Sequence, residues 1–257
     1  KRVKAVIEHY PSIDVLGVNA YAQAGTVAAR IKQAGWKKAF VLAEFGPTGH
    51  WEVPKTPWGA PIEPSSQSKV AKYAQTMLTT DQAAHDICLG SYCFFWGQKQ
   101  ETTSTWYGMF LPTGEKLPQV DMMSRMWTGN FPANRCPVVR DVKSDLKEAV
   151  VPPGEKFTVS IDAFDPENDP ISAYFTVTAE STDTRVGGER ESVPPSFPDC
   201  TLSIDGLTAT ILTPHQPGNY RVFKVVKDGK GNACTDNLCF RVECCGSSIQ
   251  DFLTALA

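Results

Sequence analysis

The sequence predicts a protein of two halves, an α/β half followed by an all-β half. Apolar runs of strand length alternate with amphipathic helices up to about residue 130, an order typical of βαβ units with a parallel sheet. Beyond about residue 134, short segments alternate polar and apolar residues between Gly, Pro and Asp turns, which indicates an antiparallel β-sandwich. We therefore predict an α/β unit at residues 1–133, a sandwich at residues 134–246 and a tail at residues 247–257.

In the first half, the apolar spacing predicts four helices alternating with three strands. Val3, Val6 and Ile7 recur at helical spacing, so the first helix is expected to end before Pro11. The second helix is expected to end at Gly35, a residue that suits a helix C-terminus. The helices are predicted at residues 1–10, 26–33, 68–79 (extending towards residue 84) and 120–127, and the strands at residues 14–21, 39–45 and 88–97.

The strand at residues 39–45 carries the main functional signal. Its apolar run ends in a single carboxylate, Glu44, before Gly46 and Pro47 break the strand. In barrels of parallel strands the chemistry lies where the strands end, which makes Glu44 a catalytic candidate. An ordinary polar residue at a strand terminus is the alternative. Three strands cannot close a barrel, which takes about eight, so this half would be a piece of one.

Three motifs at these strands resemble the sixth, seventh and eighth strands of a (β/α)8-barrel glycoside hydrolase. They are Gly17-Val-Asn-Ala-Tyr21, Leu42-Ala-Glu-Phe-Gly46 and Cys88-Leu-Gly-Ser-Tyr-Cys-Phe-Phe-Trp-Gly97. The family is the clan of retaining enzymes with two catalytic glutamates, and the likeness is strongest to its family 2-type barrels, which act on β-linked glycans. The resemblance covers about residues 1–130 and implies the C-terminal portion of a TIM barrel ahead of the sandwich.

The resemblance also implies roles for individual residues. Glu44 would be the nucleophile, about 5–5.5 Å from a second, protonated carboxyl group. Tyr21 would hydrogen-bond to Glu44, and Asn19 would shape the same pocket. Trp96 would form the floor, because flat aromatic faces suit the apolar face of a sugar ring; packing in the core is the alternative.

Further aromatic residues are candidates for outer sugar subsites. The long loop at residues 46–66 contains two of them and five prolines, and a loop of this length in a compact domain is usually functional. The alternative is that its tryptophans only hold the proline-rich loop in place. The candidates are Trp51, Trp58, Trp106 and Tyr107.

No residue of this sequence corresponds to the acid/base glutamate of the family, and no segment corresponds to the first five strands of its barrel. Glu101 follows the third strand and is predicted to lie on the surface or at the rim of the cleft. A second chain, an upstream segment or further copies of the chain are therefore expected to complete the barrel. The expected function is part of a retaining glycoside hydrolase or transglycosylase. The alternative is a non-catalytic structural or carbohydrate-binding protein that assembles into oligomers.

The second half resembles the Ig-like or cadherin-like modules appended to secreted glycosidases. The acidic segment at residues 162–170 offers carboxylates to Ca²⁺, which prefers oxygen ligands; turn chemistry at a strand end is the alternative. The candidate ligands are Asp162, Asp165, Glu167 and Asp169. The strands are predicted at residues 156–164, 171–178, 201–212, 220–226 and 240–242.

Eight cysteines, an even number, favour disulfides and with them an extracellular, secreted location. Zinc is the alternative reading, but no CxxC pair occurs and the four histidines are scattered. The basic residues 1–4 are not followed by an apolar stretch, so no signal peptide is recognised and a mature or partial product is expected.

Composition argues against two classes of partner. A net charge of -3 without a basic stripe does not suit nucleic acid. No apolar run approaches the roughly 20 residues that span a bilayer. The 257 residues, 42% of them hydrophobic and 21% charged, suit one large globular domain or two modest ones.

Overall fold

The computed structural model of the chain describes residues 1–183, 185 and 189–244. In its first half, four α-helices alternate with three strands, and a short 3₁₀ turn at Ala24–Thr26 precedes the second helix. The elements are α1 (Arg2–His9), β1 (Val15–Asn19), α2 (Val27–Gln33), β2 (Ala39–Phe45), α3 (Ser66–Ala84), β3 (Cys88–Cys93) and α4 (Pro118–Thr128).

β2 is the middle strand of a parallel sheet, with β1 and β3 on either side. Its side chains Phe40, Leu42 and Phe45 are fully buried, while the residues between them are half-buried. Parallel pairing brings the carboxyl ends of the strands to one edge of the sheet, where Asn19 lies opposite Glu44. This edge carries the candidate site.

The helices pack on this sheet through their apolar faces. Ile31 of α2, Tyr73 of α3 and Met123 of α4 belong to one buried cluster that includes the sheet side chains. α3 begins at a capped turn, where Ser65 Oγ accepts a hydrogen bond from the backbone N–H of Ser68 at 3.3 Å. Such a cap satisfies one of the amide groups that a helix start leaves free.

Two four-stranded sheets form a β-sandwich in the second half. One sheet has the order β5-β11-β10-β7 and the other β4-β6-β9-β8, and all pairs are antiparallel except β5 with β11. The strands are β4 (Val138–Lys143), β5 (Val150–Val151), β6 (Lys156–Phe164), β7 (Ser172–Ala179), β8 (Thr201–Asp205), β9 (Thr208–Leu212), β10 (Gly218–Lys227) and β11 (Ala233–Val242), with a 3₁₀ turn at Pro198–Cys200.

The sandwich core consists of alternate residues from the facing strands. Ala173, Phe175 and Val177 of β7 point inward, and they share the core with Val159 of β6 and Ile211 of β9 from the other sheet. Burying each large apolar side chain contributes about 1.5–3 kcal/mol. The alternating pattern that predicted this half therefore corresponds to its buried face.

Several strand limits differ from the predicted ones. The predicted strand at residues 201–212 is two strands, because Gly206 and Leu207 make a tight turn between Asp205 and Thr208. Gly206 has a φ of 56°, a conformation that glycine adopts without steric cost. Residues 138–153, which have little alternation, supply β4 and β5. β11 is also longer than the predicted residues 240–242.

A buried carboxylate, Glu63, joins the two halves. Its Oε1 accepts hydrogen bonds from Lys69 Nζ of α3 and from Thr105 Oγ1 at 2.9 Å. Its Oε2 accepts hydrogen bonds from Thr103 Oγ1 and from Asn237 Nδ2 of β11, both at 2.6 Å. Because both oxygens are partnered, the cost of burying the charge is offset.

Arg221 of β10 extends this network. Its guanidinium binds Glu180 through two hydrogen bonds of 3.1 and 2.7 Å, and it donates to Asn237 Oδ1 at 2.5 Å. A further bond of 3.0 Å reaches the carbonyl of Pro61, so the long loop of the first half is held against the sandwich. Two-point contacts between guanidinium and carboxylate fix geometry as well as adding stability.

The predicted fold class, a C-terminal TIM-barrel portion ahead of the sandwich, is wrong. The described part of the chain is mainly β, with eight of eleven strands in the sandwich sheets and four α-helices. Among the described residues, β1 and β3 each pair on one side only, whereas every strand of a closed barrel pairs on both sides. Alternating helices and strands are equally compatible with a small open sheet, which is what they form here.

The disulfides predicted from the cysteine count are not seen. The seven cysteines within the described residues are all free thiols, while Cys245 and the predicted tail at residues 247–257 lie outside those residues. No helix in the described part of the chain has the length and apolar character needed to cross a membrane.

Replacing Glu63 by Gln is expected to lower the free energy of unfolding by about 3–5 kcal/mol, because Lys69 would keep its buried charge without a countercharge. Urea denaturation followed by tryptophan fluorescence measures the loss. Glu8→Gln, at an exposed position of α1, is the matched control and should change stability by less than about 0.5 kcal/mol. Equal effects of the two substitutions would show that the Glu63 network does not hold the halves together.

Stability is also expected to fall in acid in a way that depends on Glu63. Burial alone would raise the pKa of Glu63, but Lys69 and Arg221 hold that pKa below its ordinary value of 4.5. The unfolded chain therefore takes up the proton at a higher pH than the fold does, and the stabilisation is lost as the pH falls from 4.5 through the folded-state value. Urea midpoints measured between about pH 7 and pH 3 should fall more steeply for the wild type than for Glu63→Gln. If the urea midpoints of the two proteins fell in parallel as the pH was lowered, the loss of stability in acid would not come from Glu63.

Candidate functional site

The carboxyl edge of the parallel sheet brings together residues that are far apart in the sequence. The backbone N–H of Ala20, just after β1, donates to the carbonyl of Glu44 at 2.9 Å. The N–H of Phe94, just after β3, donates to the carbonyl of Phe45 at 2.7 Å. These bonds continue the sheet beyond its regular strands and fix the start of each loop that follows.

Tyr21 and Glu44 form the polar centre of this edge. The Tyr21 hydroxyl donates a hydrogen bond of 3.1 Å to Glu44 Oε2. Burial, together with the charge of Glu44, raises the pKa of Tyr21 far above its ordinary value of 10.0. Tyr21 therefore stays protonated at all physiological pH values, and it presents Glu44 with a permanent donor.

Aromatic rings surround Tyr21. Trp51, Phe94 and Tyr107 each meet its ring edge to face, with centroids at 5.4, 6.0 and 5.7 Å. Edge-to-face contact at this distance is the preferred arrangement of aromatic pairs. Trp51 is 55% exposed, so its indole offers open surface beside the Tyr21–Glu44 pair.

His50 connects two of these rings. Its backbone N–H donates to the Tyr107 hydroxyl at 3.1 Å, and its Nδ1 lies 3.2 Å from the same oxygen. Its ring meets that of Trp51 edge to face at 4.8 Å. Burial lowers the pKa of His50 below the ordinary 6.5, so this side chain is mostly neutral at pH 7.

Glu101 and Lys99 form an ion pair near the same edge. Lys99 Nζ lies 2.6 Å from Glu101 Oε2 and 5.0 Å from the centroid of the Phe94 ring. The sequence predicted that Glu101 lies on the surface or at a cleft rim; its side chain is largely buried against Lys99. Its negative charge contributes to the raised pKa of Tyr21, after burial and Glu44.

The other predicted tryptophans lie in three different settings. Trp96 is half exposed, but its aromatic neighbours are Phe110 and Trp127, at 5.3 and 6.0 Å. Trp106 is completely buried, and its Nε1 donates to the carbonyl of Thr48 at 2.9 Å. Trp58 lines a cavity of about 190 Å³ that His50 also lines. Trp51 is thus the predicted tryptophan that lies beside Tyr21.

Sequence reasoning missed His50, Lys99 and Phe94. His50 has no partner at catalytic or metal-binding spacing in the sequence, and its contact with Tyr107 joins positions 57 residues apart. In the sequence, Phe94 looks like one more apolar residue of the predicted strand at residues 88–97, so nothing marks it as part of a site. The only sequence signal for them was their place in, or next to, loops that follow strand ends.

The predicted calcium ligands divide into two groups. Asp162 lies 3.8 Å from Arg140, and Glu167 lies 2.7 Å from Arg135, so both carboxylates face guanidinium groups. Asp165 and Asp169 lie together and are joined by Asp228 from another loop. Asp228 was not among the predicted ligands, because it is 59 residues beyond Asp169 in the sequence.

Comparisons with known proteins found solved structures of low sequence identity. No family model and no curated protein matches the sequence. A PKD domain of a peptidase from a Thermoplasmatales archaeon has 17% identity, covering 43% of this chain and 98% of that one, with a TM-score of 0.27. A PKD domain of Vibrio anguillarum Epp has 18% identity, with 43% and 98% covered and a TM-score of 0.22. The copper resistance protein PcoC of Escherichia coli has 15% identity, with 42% and 99% covered and a TM-score of 0.24.

The resemblance to a retaining glycoside hydrolase barrel is wrong, because β1, β2 and β3 form an open three-stranded sheet instead of part of a closed barrel. The motifs behind the resemblance were short apolar strands that end in a polar residue, and any small parallel sheet produces that pattern. A shared pattern at strand ends does not define a closed barrel.

The pKa of His50 is expected to lie below 6.5, because burial disfavours its charged form. Two-dimensional NMR of the ring protons, with the signal assigned from His50→Gln, measures the titration. The fold should accordingly lose part of its stability as the pH falls below 6.5, since the unfolded chain takes up that proton more readily. A titration midpoint above 6.5 would contradict the burial of this ring.

Proposed function

We propose that the protein binds carbohydrate at the carboxyl edge of its parallel sheet. The observation that carries the proposal is the exposed indole of Trp51, which packs at 5.4 Å against Tyr21 while Tyr21 donates to Glu44. A pyranose ring has an apolar C–H face and a rim of hydroxyl groups. An open aromatic face beside a carboxylate suits both parts of such a ligand.

The surrounding contacts support a prearranged site. Tyr21 is held by three aromatic rings and by its bond to Glu44, so neither group has to be ordered when a ligand binds. Preorganised side chains cost less conformational entropy on binding. Glu44 is an acceptor only, and sugar hydroxyls can donate to the oxygen that Tyr21 does not use.

Binding without cleavage is the function that these contacts favour. Retaining hydrolysis needs a second, protonated carboxyl group about 5–5.5 Å from the nucleophile. Among the described residues, the hydrogen bond to the Glu44 side chain comes from Tyr21, and Glu101 is paired with Lys99. Hydrolysis with Glu44 as the nucleophile stays an untested prediction, and its acid would have to come from outside this chain.

The expected location and partners follow from the same proposal. A glycan ligand accords with the predicted extracellular location, which stays a prediction. β1 and β3 leave open edges in the described part of the sheet, with exposed Val15, Leu89 and Tyr92 along them. Unpaired strand edges readily accept another strand, which supports a second chain or further copies of this chain as partners.

Trp51→Ala is expected to weaken binding of β-linked oligosaccharides at least about tenfold, which corresponds to about 1.4 kcal/mol, because it removes the aromatic face. Glu44→Gln should weaken binding by a similar factor, since a charged acceptor is replaced by a neutral one. Isothermal titration calorimetry with a panel of oligosaccharides, chosen first on a glycan array, measures both changes.

Trp127→Ala is the matched control, because Trp127 is about as exposed as Trp51 but lies in the Trp96 patch. It should leave the affinity unchanged. If Trp127→Ala or Trp96→Ala weakens binding and Trp51→Ala does not, the sugar binds at the other patch and the proposed site is wrong. Chromatography of the oligosaccharides after incubation should return them intact, and shortened products would contradict binding without cleavage.

A further inference from the structure

Three aspartates from two loops meet at one end of the sandwich. Asp165 and Asp169 lie in the turn after β6, and Asp228 follows β10 of the other sheet. One carboxylate oxygen from each lies within 4.8 Å of the other two. Ca²⁺ holds its oxygen ligands at about 2.3–2.6 Å, so ligands on opposite sides of the ion are about 4.6–5.2 Å apart. The spacing of these oxygens fits an ion of this size.

Asp165 provides a second, independent indication of a ligand. The residue is only 5% exposed, and its Oδ2 is buried without a hydrogen-bond partner. Its Oδ1 accepts the backbone N–H groups of Glu167 and Asp169 at 2.9 and 3.0 Å. One oxygen therefore shapes the turn while the other is left unpaired, which is costly for a buried carboxylate. A cation at this point would satisfy it.

Asp228 is held in position by its own turn. Its Oδ1 accepts the backbone N–H groups of Lys230 and Asn232 at 2.7 and 3.1 Å, and its Oδ2 accepts the Asn232 side-chain amide. The residue is buried. A carboxylate fixed by backbone amides is a preformed ligand, because binding an ion does not require it to be ordered.

The charge of the cluster is incompletely balanced. Lys230 Nζ lies 2.5 Å from Asp169 Oδ1, and this hydrogen bond lowers the pKa of Asp169. Three carboxylates and one ammonium leave two negative charges. The Lys230 side chain is mostly exposed, so it can move into solvent when a divalent cation takes its place beside Asp169.

We propose that Asp165, Asp169 and Asp228 bind Ca²⁺ at one end of the sandwich, between loops that follow one strand of each sheet. The ligand set differs from the one that the sequence predicted, because Asp162 and Glu167 face arginines. Mg²⁺ is a poorer match, since it holds its ligands at about 2.0–2.1 Å in a strict octahedron. The proposal is independent of carbohydrate binding at the Trp51 site.

The ion would also strengthen the connection between the halves. Asn134, in the segment between α4 and β4, donates from Nδ2 to Asp169 Oδ2 at 2.7 Å. Lys116 of the first half donates its backbone N–H to the carbonyl of Gly231 at 3.0 Å, in the same turn as Asp228. An ion that holds Asp169 and Asp228 in place would therefore also stabilise the contacts of Asn134 and Lys116 with these two loops. Bound Ca²⁺ should protect this region from proteolysis.

The test is calorimetric titration of CaCl₂ into the whole chain after chelator treatment, with thermal unfolding in Ca²⁺ and in EDTA. The expected result is binding with a Kd of about 10⁻⁵–10⁻³ M and a Tm that rises as Ca²⁺ increases. Asp228→Asn should weaken Ca²⁺ binding at least about tenfold, while Lys230→Ala should tighten it several-fold, because a competing cation is removed.

Asp162→Asn is the matched control, since it removes a carboxylate that lies outside the cluster. Asp162→Asn should bind Ca²⁺ as the wild type does. In EDTA, Asp228→Asn should unfold at nearly the wild-type Tm, which would show that the substitution removes a calcium ligand without unfolding the domain. If the wild type showed neither a heat of binding on titration with CaCl₂ nor a change of Tm between Ca²⁺ and EDTA, the proposal would be overturned. An equal loss of affinity in Asp162→Asn and Asp228→Asn would also overturn it.

Discussion

The buried charge of Glu63 is the constraint on which the arrangement of the two halves depends. A carboxylate removed from water is tolerated only when each oxygen is partnered, and the partners here come from α3, from the loop after β3 and from β11 of the sandwich. Arg221 adds contacts from β10 to Glu180 and to the loop before α3. Moving either half would leave several buried polar groups unpaired, which opposes any change in their relative position.

The candidate site depends on the same network through the chain itself. Thr103 and Thr105 bind Glu63, and Tyr107 follows them by only a few residues. Tyr107 in turn contacts the ring of Tyr21 and both the backbone and the side chain of His50. The loop after β3, which contains Tyr107, is therefore held in place by a network that includes residues of the sandwich. The second half thus has a structural role at a site made by the first.

Local patterns in the sequence were good guides to the elements of the first half and poor guides to how those elements are arranged. The helices and strands around Val27, Phe40 and Tyr73 lie close to where apolar spacing predicted them. The barrel was wrong because hydrophobic periodicity describes which faces are buried, not how many strands a sheet has. The turn at Gly206 was missed for a similar reason, since two short strands with one apolar pattern read as a single strand.

By itself the sequence determined the change from helix-containing to all-β structure and the polar ends of the parallel strands, since these follow from residue order and strand alternation. Only the tertiary structure decided which tryptophan stands beside that pair and that Asp228 completes the acidic cluster with Asp165 and Asp169. Contacts between loops that are distant in the chain depend on the packing of whole elements, and no local pattern of residues encodes that packing.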